Sequence, residues 1–362
     1  MNEMIIFNPV TFKRFTAINR LVKSAACEYM SDEVGKPTAI MVELYDELRN
    51  SEIGIIISGY AYVLPNGKST NGQAGIYSDE LIPFWKPVTE TIRKGKSLFL
   101  CQIVHGGRQV RAKVNPGPVW SSSAVNDSVY KTEPKAMNIE EIEMVIRAFI
   151  DAAKRCKQAG FHGIQLHAAH GYLLSQFMSP YTNIRTDEYG GNQEKRSRII
   201  INIIKGIRKE IKGKFIVSAK VNCEDFREDG LKLEQSLETI KLMEEAGLDF
   251  VEISGGMSES TIPTIRQNIN SLIDEGYFRK QAAFIKKNIS IPLAVAGGFR
   301  TLAFMDQVLR SGEADFISLC RPFIREPDLV KKFKEAAIKS KCISCNKCFS
   351  PRGLRCSERE NK

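Results

Sequence analysis

Four histidines occur in the 362-residue chain, and two of them, His167 and His170, lie beside Tyr172. A single histidine is usually a polar residue without a chemical role, but two imidazoles and a phenol in one short segment indicate a site. The imidazoles can donate hydrogen bonds to a substrate oxygen on which negative charge develops, and the Tyr172 hydroxyl can supply a proton. The alternative is a metal site with Asp187 or Glu188 as third ligand, although the segment has no HExxH pattern.

A strand that ends just before these side chains would position all three. Residues 163–166 have the short apolar pattern of a strand. A helix is predicted before it, at residues 139–159, because Asn138 can cap its start, Glu141 stands at the capping-box position and Gly160 can end it. The two histidines and the tyrosine therefore follow the C-terminal end of a strand, which is where α/β proteins carry their chemistry.

The whole chain alternates between short apolar runs and helical patterns. Strands are predicted at residues 21–25, 53–58, 98–102, 163–166, 215–221, 250–254, 293–296 and 316–319. Helices are predicted at residues 38–52, 79–94, 139–159, 193–211, 233–246, 278–287, 301–311 and 327–338. Eight such units predict an α/β fold of the (β/α)8 TIM-barrel type. A doubly wound sheet is the second choice, because no GxGxxG follows the first strand.

Two segments lie outside these units. Residues 5–19 alternate apolar and polar side chains around Asn8-Pro9, which predicts an N-terminal β-hairpin. The C-terminal segment holds four of the nine cysteines. We therefore predict one catalytic domain at residues 1–340 and a short Cys-rich tail at residues 341–362.

Composition limits the setting in which the protein works. The first residues lack the basic segment and apolar core of a signal peptide, and no apolar run is long enough to span a membrane, so a cytoplasmic protein is expected. The net charge of +10 is compatible with nucleic acid, but Lys and Arg are mixed with Glu along the helices. We expect no nucleic-acid partner and an attraction for small anionic ligands. The oligomeric state is left open, a homo-oligomer included.

The segment that begins at His167 reads HAAHGYLLSQFMSP and continues through Asn183 and Arg185 to DEYGG. This segment resembles the signature of the old yellow enzyme family. The resemblance implies an FMN-dependent NAD(P)H oxidoreductase that reduces the C=C bond of α,β-unsaturated carbonyl compounds. In that family's scheme His167 and His170 would bind the carbonyl oxygen, flavin N5 would deliver a hydride to the β-carbon, and Tyr172 would protonate the α-carbon.

The same resemblance assigns residues after several strands to the flavin. Gln102 lies in a QxxHxGR pattern, and its amide can both donate and accept. Lys220 lies in an apolar strand and needs an anionic partner, which a reduced flavin would provide. Tyr29 is implied as a substrate contact. The full set of implied FMN contacts is Ser24, Ala25, Ala26, Cys27, Tyr60 through its backbone, Gln102, Lys220, Gly297, Gly298, Cys320 and Arg321.

Four of these contacts stand at the ends of the last two strands. Gly297 and Gly298 follow the seventh strand, and Arg321 follows the eighth. Backbone amides at such glycines and a guanidinium group are typical of a phosphate site. We therefore expect the phosphate of FMN to lie at this corner, with Cys320 beside it.

The tail carries a ligand-like pattern, Cx2Cx2Cx7C, formed by Cys342, Cys345, Cys348 and Cys356. It is similar to the [4Fe–4S] motif of the 2,4-dienoyl-CoA reductase and trimethylamine dehydrogenase branch, but its spacing differs. Three interpretations stay open: an iron–sulfur centre, a structural zinc site, or free thiols.

Two other functions are compatible with the sequence. One is an iron–sulfur flavoprotein that relays electrons to or from a partner through the tail. The other is an RNA-modifying flavin barrel of the dihydrouridine synthase type, which the positive charge permits. That function would require a helical RNA-binding domain, which the sequence does not predict.

Overall fold

Eight parallel strands close into a barrel, which confirms the predicted (β/α)8 fold. The computed structural model describes residues 4–111, 113–115, 117–350 and 352–359. The strands, with the hairpin pair first, are β1 Val10–Phe12, β2 Phe15–Ala17, β3 Leu21–Lys23, β4 Ile55–Tyr62, β5 Leu98–Val104, β6 Trp120–Ser121, β7 Lys135–Ala136, β8 Gly163–Ala168, β9 Ile216–Asn222, β10 Phe250–Ser254, β11 Leu293–Val295 and β12 Phe316–Leu319. The barrel strands run in the order β10-β11-β12-β3-β4-β5-β8-β9.

Helices follow the barrel strands along the chain. They are α1 Ala39–Arg49, α2 Ile82–Arg93, α3 Ile139–Ala159, α4 Leu173–Met178, α5 Gln193–Glu210, α6 Leu233–Glu245, α7 Arg279–Lys286, α8 Leu302–Arg310, α9 Arg321–Arg325 and α10 Leu329–Glu335. Short 3₁₀ turns occur at Ile5–Phe7, Pro65–Gly67, Asp79–Leu81 and Leu272–Asp274. The caps predicted for α3 are present, with an Asn138–Glu141 capping box and a left-handed Gly160. None of the helices in the described residues is both long and apolar enough to cross a membrane.

The hairpin closes the bottom of the barrel. The Phe12 ring lies 6.1 Å from the rings of both Phe250 and Phe316, which stand at the first residues of their strands. A separate apolar cluster with Phe12 at one end fills the lower interior, and its barrel members are Val22, Ile55, Ile57, Leu98, Leu100, Ile216, Phe250, Ala294 and Phe316. The polar side chains of the barrel interior therefore lie at its upper, C-terminal end.

Strand β4 is longer than predicted and contains a bulge. Ile57 pairs with Leu100, whereas the next pair joins Tyr60 to Gln102. Strand β4 thus advances three residues while β5 advances two. Because side chains alternate along a strand and paired residues point to the same face, the extra residue turns Tyr60 to the inner face that Gln102 occupies.

Candidate active site

A cavity of about 430 Å³ opens at the C-terminal end of the barrel. Its volume is in the range of small-molecule sites. Every residue predicted for catalysis, cofactor or substrate outside the cysteine tail lines it, namely Ser24, Ala25, Ala26, Cys27, Tyr29, Tyr60, Gln102, His167, His170, Tyr172, Lys220, Gly297, Gly298, Cys320 and Arg321. The structure brings these residues together, and the role of each stays a prediction.

The histidine pair and Tyr172 form one wall of the cavity. The ring centroid of His167 lies 4.7 Å from that of Tyr172 and 5.2 Å from that of His170. His170 has a positive φ of 62° and its Nε2 lies 2.7 Å from the Ser254 Oγ, so Nδ1 is the nitrogen left for a ligand. His167 Nδ1 is buried and has no hydrogen-bond partner among the described residues. An unpartnered buried nitrogen on the cavity wall fits a ligand oxygen.

Both imidazoles are neutral at physiological pH. Burial, with smaller contributions from His170 and Lys220, holds the pKa of His167 well below its ordinary value. Burial and Lys220 lower the pKa of His170 to about 3. The pair can therefore donate hydrogen bonds without carrying a charge, and an anionic or partly anionic oxygen is favoured by the nearby ammonium of Lys220.

A buried polar network lies above the apolar interior. Its centre is Glu252, which is fully buried on β10. Glu252 accepts hydrogen bonds from the Ser24 hydroxyl at 2.7 Å, the Ser318 hydroxyl at 2.6 Å and the Gln165 amide at 2.9 Å. The side-chain Nε2 of Gln102 in turn donates to Gln165 Oε1 at 2.7 Å, so Gln102 Oε1 is left to accept from a ligand.

Glu252 also changes the interpretation of Lys220. The sequence assigned the anionic partner of this buried lysine to the flavin, but Glu252 Oε1 lies 3.3 Å from Lys220 Nζ, and Lys220 donates to the Ser24 hydroxyl at 2.6 Å. Burial would raise the pKa of Glu252, but Lys220 and the donors around the carboxylate outweigh burial and lower it. Sequence reasoning missed Glu252, although a carboxylate inside the apolar run FVEIS was a usable sign.

Gly297, Gly298 and Arg321, predicted to form a phosphate site, line the same cavity, but the surroundings of Arg321 differ from the expectation. Gly297 and Gly298 have φ angles of 142° and 75°, and a Cβ at Gly297 would lie 2.9 Å from the Tyr277 backbone nitrogen. Only glycine fits there without strain. The difference concerns Arg321, whose Nη1 donates to three oxygens, the carbonyls of Arg266 and Ser344 and the side chain of Asn346. The Nη1 atom of Arg321 is therefore already hydrogen-bonded to oxygens of the protein.

The cysteine tail packs against the mouth of the cavity. Phe349 lines the cavity, and the Leu354 amide donates to the Glu28 carbonyl at 2.9 Å. Cys342, Cys345, Cys348 and Cys356 line a second, smaller cavity together with Arg321 and Arg325. All four are free thiols, and the described residues contain no group of three or more metal-ligating side chains placed to hold a metal ion.

An internal ion pair joins two loops at the rim. Arg108 is fully buried, and its guanidinium contacts the Glu259 carboxylate and lies 3.7 Å from Asp127. Glu259 also accepts from the backbone and hydroxyl of Ser128. The two loops contribute Tyr130 and Ser258 to the cavity lining, which sequence reasoning had not identified.

Comparisons with known proteins identify the family to which the chain belongs. The model of the NADH:flavin oxidoreductase / NADH oxidase family matches residues 5–339. The chain is 34% identical to an NADH oxidase of Thermoanaerobacter brockii over 94% of its own length and 53% of that protein. It is 32% identical to an NADPH dehydrogenase of Bacillus subtilis, over 89% of its own length and 92% of that protein.

Two solved structures have the same fold. A 2-naphthoyl-CoA reductase in complex with 2-naphthoyl-CoA superposes with a TM-score of 0.86 at 28% identity, over 93% of this chain and 54% of that one. An old yellow enzyme homologue from Zymomonas mobilis superposes with a TM-score of 0.80 at 26% identity, over 96% of this chain and 98% of that one. The chain thus spans about half the length of the NADH oxidase and of the naphthoyl-CoA reductase.

Proposed function

Because the chain belongs to the old yellow enzyme family of NADH:flavin oxidoreductases, we propose that it reduces the C=C bond of α,β-unsaturated carbonyl compounds with NAD(P)H. Membership makes it an oxidoreductase, for which the family implies FMN. The observation that carries the finer proposal is the wall formed by His167, His170 and Tyr172, with a buried His167 nitrogen free to bind an oxygen.

The residues present fit FMN. Gln102 Oε1 can accept from the flavin imide, Lys220 can stabilise negative charge on the pyrimidine ring, and the backbone at Gly297 and Gly298 is shaped for close approach of a phosphate. When bound, FMN would pass a hydride from NAD(P)H to the β-carbon of the substrate. Lys220 has this role although Glu252 lies beside it, because the Glu252 carboxylate offsets the cost of burying the Lys220 ammonium group.

The remaining chemistry belongs to this chain's own side chains. His167 and His170 donate to the carbonyl oxygen and withdraw electron density from the C=C bond. Tyr172 gives its hydroxyl proton to the α-carbon, and burial keeps that hydroxyl protonated by raising its pKa. The π bond breaks, two C–H bonds form, and NAD(P)H leaves as NAD(P)⁺, so that electrons and protons balance.

Anaerobic turnover tests this proposal. Purified protein is incubated with FMN, NADPH or NADH, and 2-cyclohexenone, and the saturated ketone is quantified. We expect one cyclohexanone formed for each nicotinamide oxidised, with FMN bound at one per chain. Oxidation of NAD(P)H without alkene reduction, or failure to bind FMN, would contradict it.

A second candidate, an iron–sulfur flavoprotein that relays electrons, rests on the tail. All four tail cysteines line one cavity, yet the described residues offer no group of ligands close enough together for a single ion. Four cysteines are also the ligand set of a [4Fe–4S] centre, in which each cysteine binds a different iron. The cations of Arg321 and Arg325 would offset the negative charge of four thiolates.

Metal analysis of protein purified without oxygen tests this second candidate. About four irons and four sulfides per chain are expected for a [4Fe–4S] centre, and Cys348→Ser should lose iron while FMN stays bound. One zinc per chain, or no metal under anaerobic conditions, would eliminate the cluster.

A further inference from the structure

The bulge in β4 is held by a dedicated set of contacts. Glu28, which is buried, accepts from the Gly59 amide at 2.6 Å and from the Tyr45 hydroxyl at 2.5 Å. Ser58 Oγ donates to the Gly59 carbonyl at 2.8 Å and accepts from the backbone N–H of Gln102 at 3.2 Å. A Cβ at position 59 would lie 2.0 Å from the Glu28 carboxylate, so only glycine fits. The inward direction of Tyr60 is therefore built into the fold.

Tyr60 lies beside Tyr172, the assigned proton donor, and His167, assigned to the substrate oxygen. Its ring centroid lies 5.4 Å from that of Tyr172 and 5.9 Å from that of His167, and all three side chains line the cavity. Burial raises the pKa of both phenols, so both hydroxyls are protonated and able to donate. Since Tyr172 is assigned to give its proton to the substrate, Tyr60 is the phenol that can donate to the other oxygen.

We propose that Tyr60 is a positioning residue for Tyr172: its hydroxyl donates to the Tyr172 oxygen, directs the Tyr172 proton at the substrate and stabilises the phenolate left behind. The inference rests on the proposed alkene reduction and deepens it. The Tyr172 O–H bond breaks as the α-carbon C–H bond forms, and the phenolate then takes a proton from water. Tyr60 keeps its own proton throughout.

A set of Tyr→Phe variants tests this role. Enzyme with bound FMN is reduced by one equivalent of NADPH and mixed anaerobically with 2-cyclohexenone, in H₂O and in D₂O, while flavin absorbance is followed. The variants are Tyr60→Phe, Tyr172→Phe and the double variant. Tyr62→Phe is the matched control, because Tyr62 lies in the same strand, outside the cavity lining, and its hydroxyl donates to the Val34 carbonyl at 2.8 Å.

Tyr60→Phe should slow reoxidation by about tenfold or more, because a hydrogen bond to a developing anion is lost. The solvent isotope effect on reoxidation should rise. The 2-cyclohexenone concentration that gives half of the maximal rate should not change. In the Tyr172→Phe background the substitution should have no further effect, since the two residues act as one unit. Tyr62→Phe should stay within about twofold of the native rate.

The outcomes separate the two proposals. Equal slowing by Tyr60→Phe with and without the Tyr172 hydroxyl would show a merely structural role and overturn this inference. A slow Tyr172→Phe with a native-like Tyr60→Phe would also overturn it and leave the proposed function standing. A native-like Tyr172→Phe would instead remove the proton donor from the proposed function, and this inference with it.

Discussion

Lys220 and Glu252 form an ion pair inside the barrel, 3.3 Å apart at Nζ and Oε1, with 4% and 0% of their surfaces exposed. The pair joins adjacent strands, because Lys220 of β9 lies opposite Glu252 of β10 in the parallel register. It permits a cation to stand in the cavity wall without a bound anion. A cofactor that gains negative charge on reduction would meet an ammonium group that is already held in place.

Removal of one partner should be costly. Glu252→Gln leaves the Lys220 ammonium buried without a counter-charge, so the free energy of unfolding should fall by about 3–5 kcal/mol in chemical denaturation. The control is Glu47→Gln, which breaks the partly exposed Glu47–Arg359 pair of 2.7 Å and should cost less than about 1 kcal/mol. Similar small losses of unfolding free energy in both variants would show that the buried pair stabilises the fold no more than the surface pair does.

His105 should make stability depend on pH in a defined direction. Burial lowers its pKa from 6.5 to about 3, and its ring contacts Asn66 and the Gly107 amide. The unfolded chain therefore binds a proton at His105 near pH 6.5, whereas the folded protein does not. The contribution of neutral His105 to the free energy of unfolding is complete above pH 6.5 and is lost as pH falls towards 3.

The measurement is the free energy of unfolding at pH 7, 6 and 5. Between pH 6 and 5 His105→Gln should lose about 1 kcal/mol less than the native protein. Carboxylates titrate in both proteins, so their contribution cancels in the comparison. Parallel pH profiles would mean that folding does not lower the pKa of His105.

The Arg108–Glu259 pair should hold the rim loops. Glu259→Gln removes a charged hydrogen bond, so amide exchange in residues 122–133 should become about tenfold faster or more. The half-saturating concentration of 2-cyclohexenone should rise because Tyr130 belongs to that loop, while FMN content stays at one per chain. Glu188→Gln, which breaks the Glu188–Arg198 pair at the surface, is the control. Unchanged exchange in residues 122–133 would contradict this role.

The sequence was sufficient for features that depend on strand ends. The positions of Gln102, His167 and Lys220 followed from the alternation of strands and helices, because the (β/α)8 topology brings the C-terminal ends of all strands to one face. The hairpin and the caps of α3 depend on local patterns, and they too were correctly predicted.

Features that depend on register or on distant segments could not be predicted. The pairing of Glu252 with Lys220 requires the alignment of two strands, and the direction of Tyr60 requires a bulge that shows only in the pairing of β4 with β5. The contacts of Arg321 with Ser344 and Asn346 depend on the path of a tail without regular structure. Single-strand patterns do not contain this information.

The most direct measurement of the central claim is the affinity of His167→Ala for a phenolic ligand. With FMN bound, 4-hydroxybenzaldehyde is titrated into the native protein and the variant while long-wavelength flavin absorbance is recorded. If His167 binds the substrate oxygen, Kd should rise by about ten- to a hundredfold, the loss expected for a hydrogen bond to a charged oxygen, with FMN still at one per chain. A native Kd together with native alkene reduction in His167→Ala would contradict the account.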